Sequence, residues 1–186
     1  MHFVCRFERS LTEGVDSPLG GKSLPRFLGD APHLKPLHEI MKAVTIDEGR
    51  IAARMKLIEE HNQAEMDLDL DRTLATLNDA PDYKINNDEF SGRESVRAFY
   101  ADLFTGFPDL HLEITRRYLS DDAIIIEVTF SGTHKNLWNG IPATGRRVQF
   151  PLCAIFPFDE NDRLAGERVY FDSTLILRQL GALPAQ

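Results

Sequence analysis

The sequence predicts an α+β domain with its helices first and its sheet second. Apolar residues recur at helical spacings from Ile51 to Phe104, and from Leu110 onward the pattern changes to runs rich in β-branched and aromatic residues. Short acidic turns, Asp121-Asp122 and Asp159-Glu160-Asn161-Asp162, join consecutive runs, which suits antiparallel pairing. Helices followed by strands pack in two layers, with the helices on one face of the sheet, because each element must bury its apolar side.

Residues 1 to about 44 hold four prolines and four glycines, show neither periodicity, and are read as an extension. Phe3, Val4, Phe7, Leu24, Phe27 and Leu28 make it too apolar for a purely disordered tail, so it is expected to pack on the body or on a partner subunit. Gly20-Gly21-Lys22-Ser23 is not a phosphate loop, since Asp16 stands where that motif needs its first glycine.

The domain is expected over residues 45 to 186. Thr45 with Glu48 forms a capping box, and Ile51, Met55, Ile58 and Asn62 then share one helix face. Asp67 to Asp71 resembles half a calcium loop but has Arg72 where the turn needs glycine. It reads better as a helix start capped by Asp69 or Asp71. Leu70, Leu74 and Leu77 face inward until Asn78 to Pro81. Tyr83 to Asn87 is a short strand. Ser91 with Glu94 opens a third helix, carrying Val96, Phe99, Tyr100, Leu103 and Phe104 and ending at Gly106 to Pro108. Four strands follow, Leu110 to Leu119, Ala123 to Ser131, Arg147 to Phe158 and Leu164 to Asp172. A last helix, Ser173 to Leu180, is closed by Gly181 and followed by Pro184.

The net charge of -8 argues against nucleic acid and anionic membrane as partners, because both are held by surplus Lys and Arg. No apolar run approaches the ~20 residues that span a bilayer, and Arg6, Glu8 and Arg9 interrupt the N-terminus, so a cytoplasmic location is expected. Cys5 and Cys153 read as reduced thiols, with a pairing of the two left open. The histidines do not make metal-ligand spacing, and no metal is expected.

Gly132-Thr133-His134, Gly140-Ile141-Pro142-Ala143-Thr144-Gly145-Arg146 and Phe171-Asp172 with Gln179-Leu180-Gly181 resemble the SnoaL-like polyketide cyclase family, within the nuclear transport factor 2-like superfamily. The resemblance covers roughly residues 47 to 182. It implies three helices on a strongly curved, mainly antiparallel sheet, a cone enclosing an apolar pocket, and ring closure by an aldol reaction without cofactor or metal. By motif position it places the acid/base aspartate at Asp172 and the family's histidine at His134. Asn136 replaces a glycine common in relatives, and Val169 lies where a tryptophan often stands.

On this reading Asp172 and His134 are the catalytic candidates. A carboxylate in an apolar cavity can take a proton from carbon, and an imidazole can donate to the resulting enolate. The opposing reading of Asp172 is a helix cap. Trp138, Tyr170, Phe99, Phe104 and Phe107 are the pocket candidates, Trp138 either closing the mouth or anchoring its loop. Strand alternation puts Arg168, Tyr170 and Asp172 on one face and Glu167, Val169 and Phe171 on the other. Glu167 is therefore expected at the surface or an interface, as a reserve acid. Arg147 either orients an acidic substrate or faces solvent. The expected function is a cofactor-free cyclase or isomerase acting on a small hydrophobic carbonyl compound. The alternative is a non-catalytic ligand-binding or dimerisation module, with a homodimer as the default state.

Overall fold

The computed structural model describes residues 47–183. The expected extension, the Thr45 cap and Pro184 lie outside the described residues. Helix α1, Glu48–Met66, begins at Asp47, whose carboxylate accepts from the Arg50 amide at 3.1 Å. Helix α2, Leu70–Ala75, is capped by Asp69 as the sequence indicates. It is shorter than expected, because the chain turns at Thr76 into strand β1, Leu77–Ile85. Pro81 is tolerated inside β1 because the pairing with its neighbour is interrupted between Leu77 and Asp82, where no ladder donor is needed.

Strand β2, Asp88–Ser91, forms a hairpin with β1 that the sequence does not announce. Ser91 is paired with Asp82 in that hairpin, so it does not cap the next helix. Helix α3, Arg93–Gly106, starts instead at Gly92, whose φ of 82° turns the chain, with no side-chain cap. Strands β3 (His111–Leu119), β4 (Ala123–Thr133), β5 (Arg147–Pro157) and β6 (Leu164–Phe171) fall on the four expected runs.

The curved six-stranded sheet has the order β2-β1-β6-β5-β4-β3. All neighbours are antiparallel except β1 and β6, so the sheet is mixed at that junction. Helix α4, Ser173–Leu180, closes on Gly181 in the left-handed conformation. Arg54, almost fully buried on α1, ties that helix to two hairpin turns. It pairs with Asp162 at 2.6 Å, donates to the Asp121 carbonyl at 2.8 Å and lies 4.5 Å above the Phe158 ring. Among the described residues no helix is long and apolar enough to cross a membrane.

The helices and the concave face of the sheet enclose a core rich in aromatic residues, which includes Tyr83, Tyr100, Phe107, Phe130, Phe150 and Phe156. That core is not filled. A cavity of about 760 Å³ opens inside it, within the usual range for a small-molecule site.

Candidate functional site

The buried polar groups of the cavity come from one face of α1, one residue of α3 and one of β6. Ile58, His61, Asn62 and Glu65 are all buried, at the three- and four-residue spacings that share a helix face. Asn62 and Glu65 line the cavity, with Tyr100 of α3 and Glu167 of β6. His61 stands behind them, fully buried.

Their hydrogen bonds form one network. The Thr76 hydroxyl donates to the Thr73 carbonyl at 2.6 Å, so its oxygen accepts from His61 Nδ1 at 2.6 Å. That fixes the proton on Nδ1 and turns Nε2 toward Glu65 Oε1, at 2.9 Å, and the Tyr100 hydroxyl, at 3.0 Å. A nitrogen and a carboxylate oxygen at 2.9 Å must share a proton, carried on either one. Tyr100 lies 2.7 Å from Glu65 Oε1 and 3.3 Å from Glu167 Oε2, with the Tyr83 hydroxyl 3.1 Å away.

Burial first, and then the neighbouring Glu65 charge, push the Glu167 carboxyl well above the ordinary value, against a smaller opposing effect from its Tyr100 hydrogen bond. Glu167 is thus biased toward the neutral acid. Burial likewise raises both tyrosines, keeping them as hydroxyl donors. The ligand atoms of His61, Glu65 and Glu167 lie within 4.8 Å of one another, close enough to share a cation, although shared protons already satisfy them. Asn62 completes the lining, and its Nδ2 is buried with no hydrogen-bond partner among the described residues.

Asp172 is not in this group. It is exposed and caps α4, accepting from the amides of Thr174 at 2.8 Å and Leu175 at 3.3 Å. His134 is buried but does not line the cavity. Its Nδ1 meets Thr144 Oγ1 at 3.1 Å, and its backbone pairs with Gly145 and Arg146. The ring packs beside Phe107 and Trp138, and burial lowers its pKa, so it is a neutral loop anchor.

Strand alternation holds, with the faces reversed from expectation. Glu167, Val169 and Phe171 line the cavity, and Tyr170 is 45% exposed on the other side. Phe99, Phe107 and Trp138 are wall residues, as expected. Phe104 belongs to the core beside Tyr100, at 5.5 Å between centroids, and does not line the cavity. Arg147 is directed to Ser131 Oγ at 2.9 Å and Asp109 at 3.8 Å. Trp138 packs closely on Gly106, where a Cβ would come within 2.7 Å of it, so the loop is seated on the end of α3.

Residues 67–180 match the model of the SnoaL-like polyketide cyclase family. The chain belongs to that family. Solved structures support the fold of this SnoaL-like protein. TsrD from Streptomyces laurentii is 27% identical, with a TM-score of 0.63 over 74% of this chain and 99% of that one. AclR from Streptomyces galilaeus is 24% identical, with a TM-score of 0.64 over 73% and 85%. A SnoaL-like protein from Jannaschia sp. CCS1 is 20% identical, with a TM-score of 0.65 over 72% and 94%. No curated protein sequence matches the chain.

In the sequence Glu167 has only a reserve role, and nothing in the histidine spacing marks His61. One signal was present in α1. Asn62 was already on the apolar face, and His61 and Glu65 fall within one turn of it, a run of polar residues where a core helix needs apolar ones.

Proposed function

We propose that this SnoaL-like protein is an acid/base enzyme of the cyclase or isomerase type, acting on a hydrophobic carbonyl compound held in the cavity. The observation that carries the reading is the pair of buried carboxyl groups facing one apolar cavity, Glu65 bonded to His61 and Glu167, raised by burial, bonded to Tyr100. Glu65, bonded to His61, is the base that takes a proton from the carbon beside the carbonyl. Glu167, bonded to Tyr100, is the acid that gives a proton to the carbonyl oxygen as the enol forms. Asn62 offers a donor to a second ligand oxygen. Aromatic walls exclude water, which strengthens both roles.

This reading moves the chemistry away from Asp172 and His134, and the difference is measurable without the natural substrate. Exchange of the protons beside the carbonyl of α-tetralone with heavy water, followed by proton nuclear magnetic resonance, reports enolisation directly. The protein is expected to accelerate it, and Glu65→Gln is expected to remove the acceleration. Asp172→Ala is expected to lose about 1 kcal/mol of stability, as for a removed cap, while retaining exchange. Loss of exchange in Asp172→Ala with Glu65→Gln unaffected would overturn the assignment. No acceleration by the unaltered protein would favour a non-catalytic binding module.

A further inference from the structure

The charge of the cavity wall restricts what can enter. Four carboxylates line the cavity, Glu65 and Glu167 in its buried part and Asp88 and Asp102 on exposed positions at its rim. Among the described residues no lysine, arginine or histidine lines it. His61 stands behind Glu65, and Arg147, the arginine the sequence offers for orienting an acidic substrate, is turned to Asp109 and Ser131.

A ligand carboxylate placed in this cavity would leave water without gaining a counter-charge, and would pass the carboxylates of Asp88 and Asp102 at the rim. An uncharged carbonyl compound meets none of this. A protonated amine gains from the acids and from the aromatic rings Phe90, Phe99 and Trp138 of the wall.

We propose that the cavity is an anion filter: it admits apolar carbonyl compounds that are uncharged or carry a basic nitrogen, and rejects the same skeleton bearing a carboxylate. Asp88 and Asp102 are its specificity-determining residues at the mouth, and the inference rests on the cavity being the substrate site proposed above.

The test uses three probes of nearly the same shape, methyl β-naphthoate, β-naphthoate and β-naphthylmethylamine. Binding is followed by quenching of Trp138, the single tryptophan of the chain and a residue of the cavity wall. At pH 7 and low salt the ester and the amine are expected to bind at least about tenfold more tightly than the acid, the factor that corresponds to about 1.4 kcal/mol. The double variant Asp88→Asn, Asp102→Asn is expected to narrow that gap several-fold, and Asp102→Lys to narrow it further, with melting temperatures showing that both variants fold. Raising the salt should narrow it in the unaltered protein, since the rim charges are exposed to screening.

Binding of the acid within threefold of the ester overturns the filter while leaving the cavity as the ligand site. A large gap that neither rim variant changes overturns the role of Asp88 and Asp102. Failure of all three probes to quench Trp138 overturns the cavity reading itself, and the filter with it.

Discussion

Glu167→Gln is expected to lower enolisation of α-tetralone by on the order of a hundredfold to ten-thousandfold, the usual worth of a positioned acid, and to make the protein more stable at alkaline pH. The two effects share one cause. The folded chain holds a proton on Glu167 that the unfolded chain releases above the ordinary value of 4.5. A raised carboxyl contributes stability that is fully present below 4.5 and is lost as pH rises through the folded pKa. Over that interval stability falls by about 1.4 kcal/mol per pH unit for this one group. Gln keeps the shape and stays neutral, so the variant lacks the slope. Urea unfolding of both proteins from pH 5 to 9 checks it, and the difference between the two curves reports what the Glu167 carboxyl contributes. Parallel curves would show that Glu167 is ionised in the fold and cannot be the acid.

Gly166→Ala is expected to cost on the order of 3 kcal/mol, from backbone strain and displaced contacts together, a fall in melting temperature of roughly 10 °C. Gly166 has a φ of 147°, and a Cβ there would overlap the backbone carbonyl of Asp82 on the neighbouring strand. Asp82 and Gly166 are register partners where β1 meets β6, and the next pair is Tyr83 with Glu167. The added carbon must therefore push apart the two strands that carry Tyr83 and Glu167 of the hydrogen-bonded network, so enolisation should fall with stability. Gly140→Ala is the comparison. Gly140 has a φ of 74° but open space around it, so only the left-handed conformation is penalised, by about 1 kcal/mol. Equal melting temperatures for the two variants would show that the β1–β6 approach is not tight.

The fold was legible in the sequence because its signals are local. Asp69 caps α2, the β3 to β6 runs carry strand periodicity, and Gly181 ends α4 where the pattern stops. What failed was also local. Ser91 with Glu94 satisfies the capping pattern, but Ser91 is held in the β2 hairpin, a non-local pairing that competes for the same residue. The family and its apolar pocket could be read from short motifs late in the chain.

The site was harder to read because it is assembled across the sheet. Alternation correctly separated Glu167 from Asp172, yet nothing in the strand says which side faces the helices. Asp172 was drawn to the cavity by motif position, although its place immediately before α4 already matched a cap. Glu65 and His61 lie about a hundred residues before Glu167, and only the fold brings them to one hydrogen-bonded cluster. The buried polar face of α1 was the clue that periodicity offered, since a core helix keeps such residues only where they find partners.

The central claim is that Glu65 takes a proton from the ligand carbon and Glu167 gives one to its carbonyl oxygen, within the cavity. The most direct measurement is a crystal structure of the protein with α-tetralone bound. The ring is predicted to lie among Phe99, Phe107 and Trp138, with its carbonyl oxygen in hydrogen-bond reach of Glu167 or Tyr100 and the adjacent carbon facing Glu65. A ligand seated against Asp172 and His134, with the cavity left empty, would contradict it.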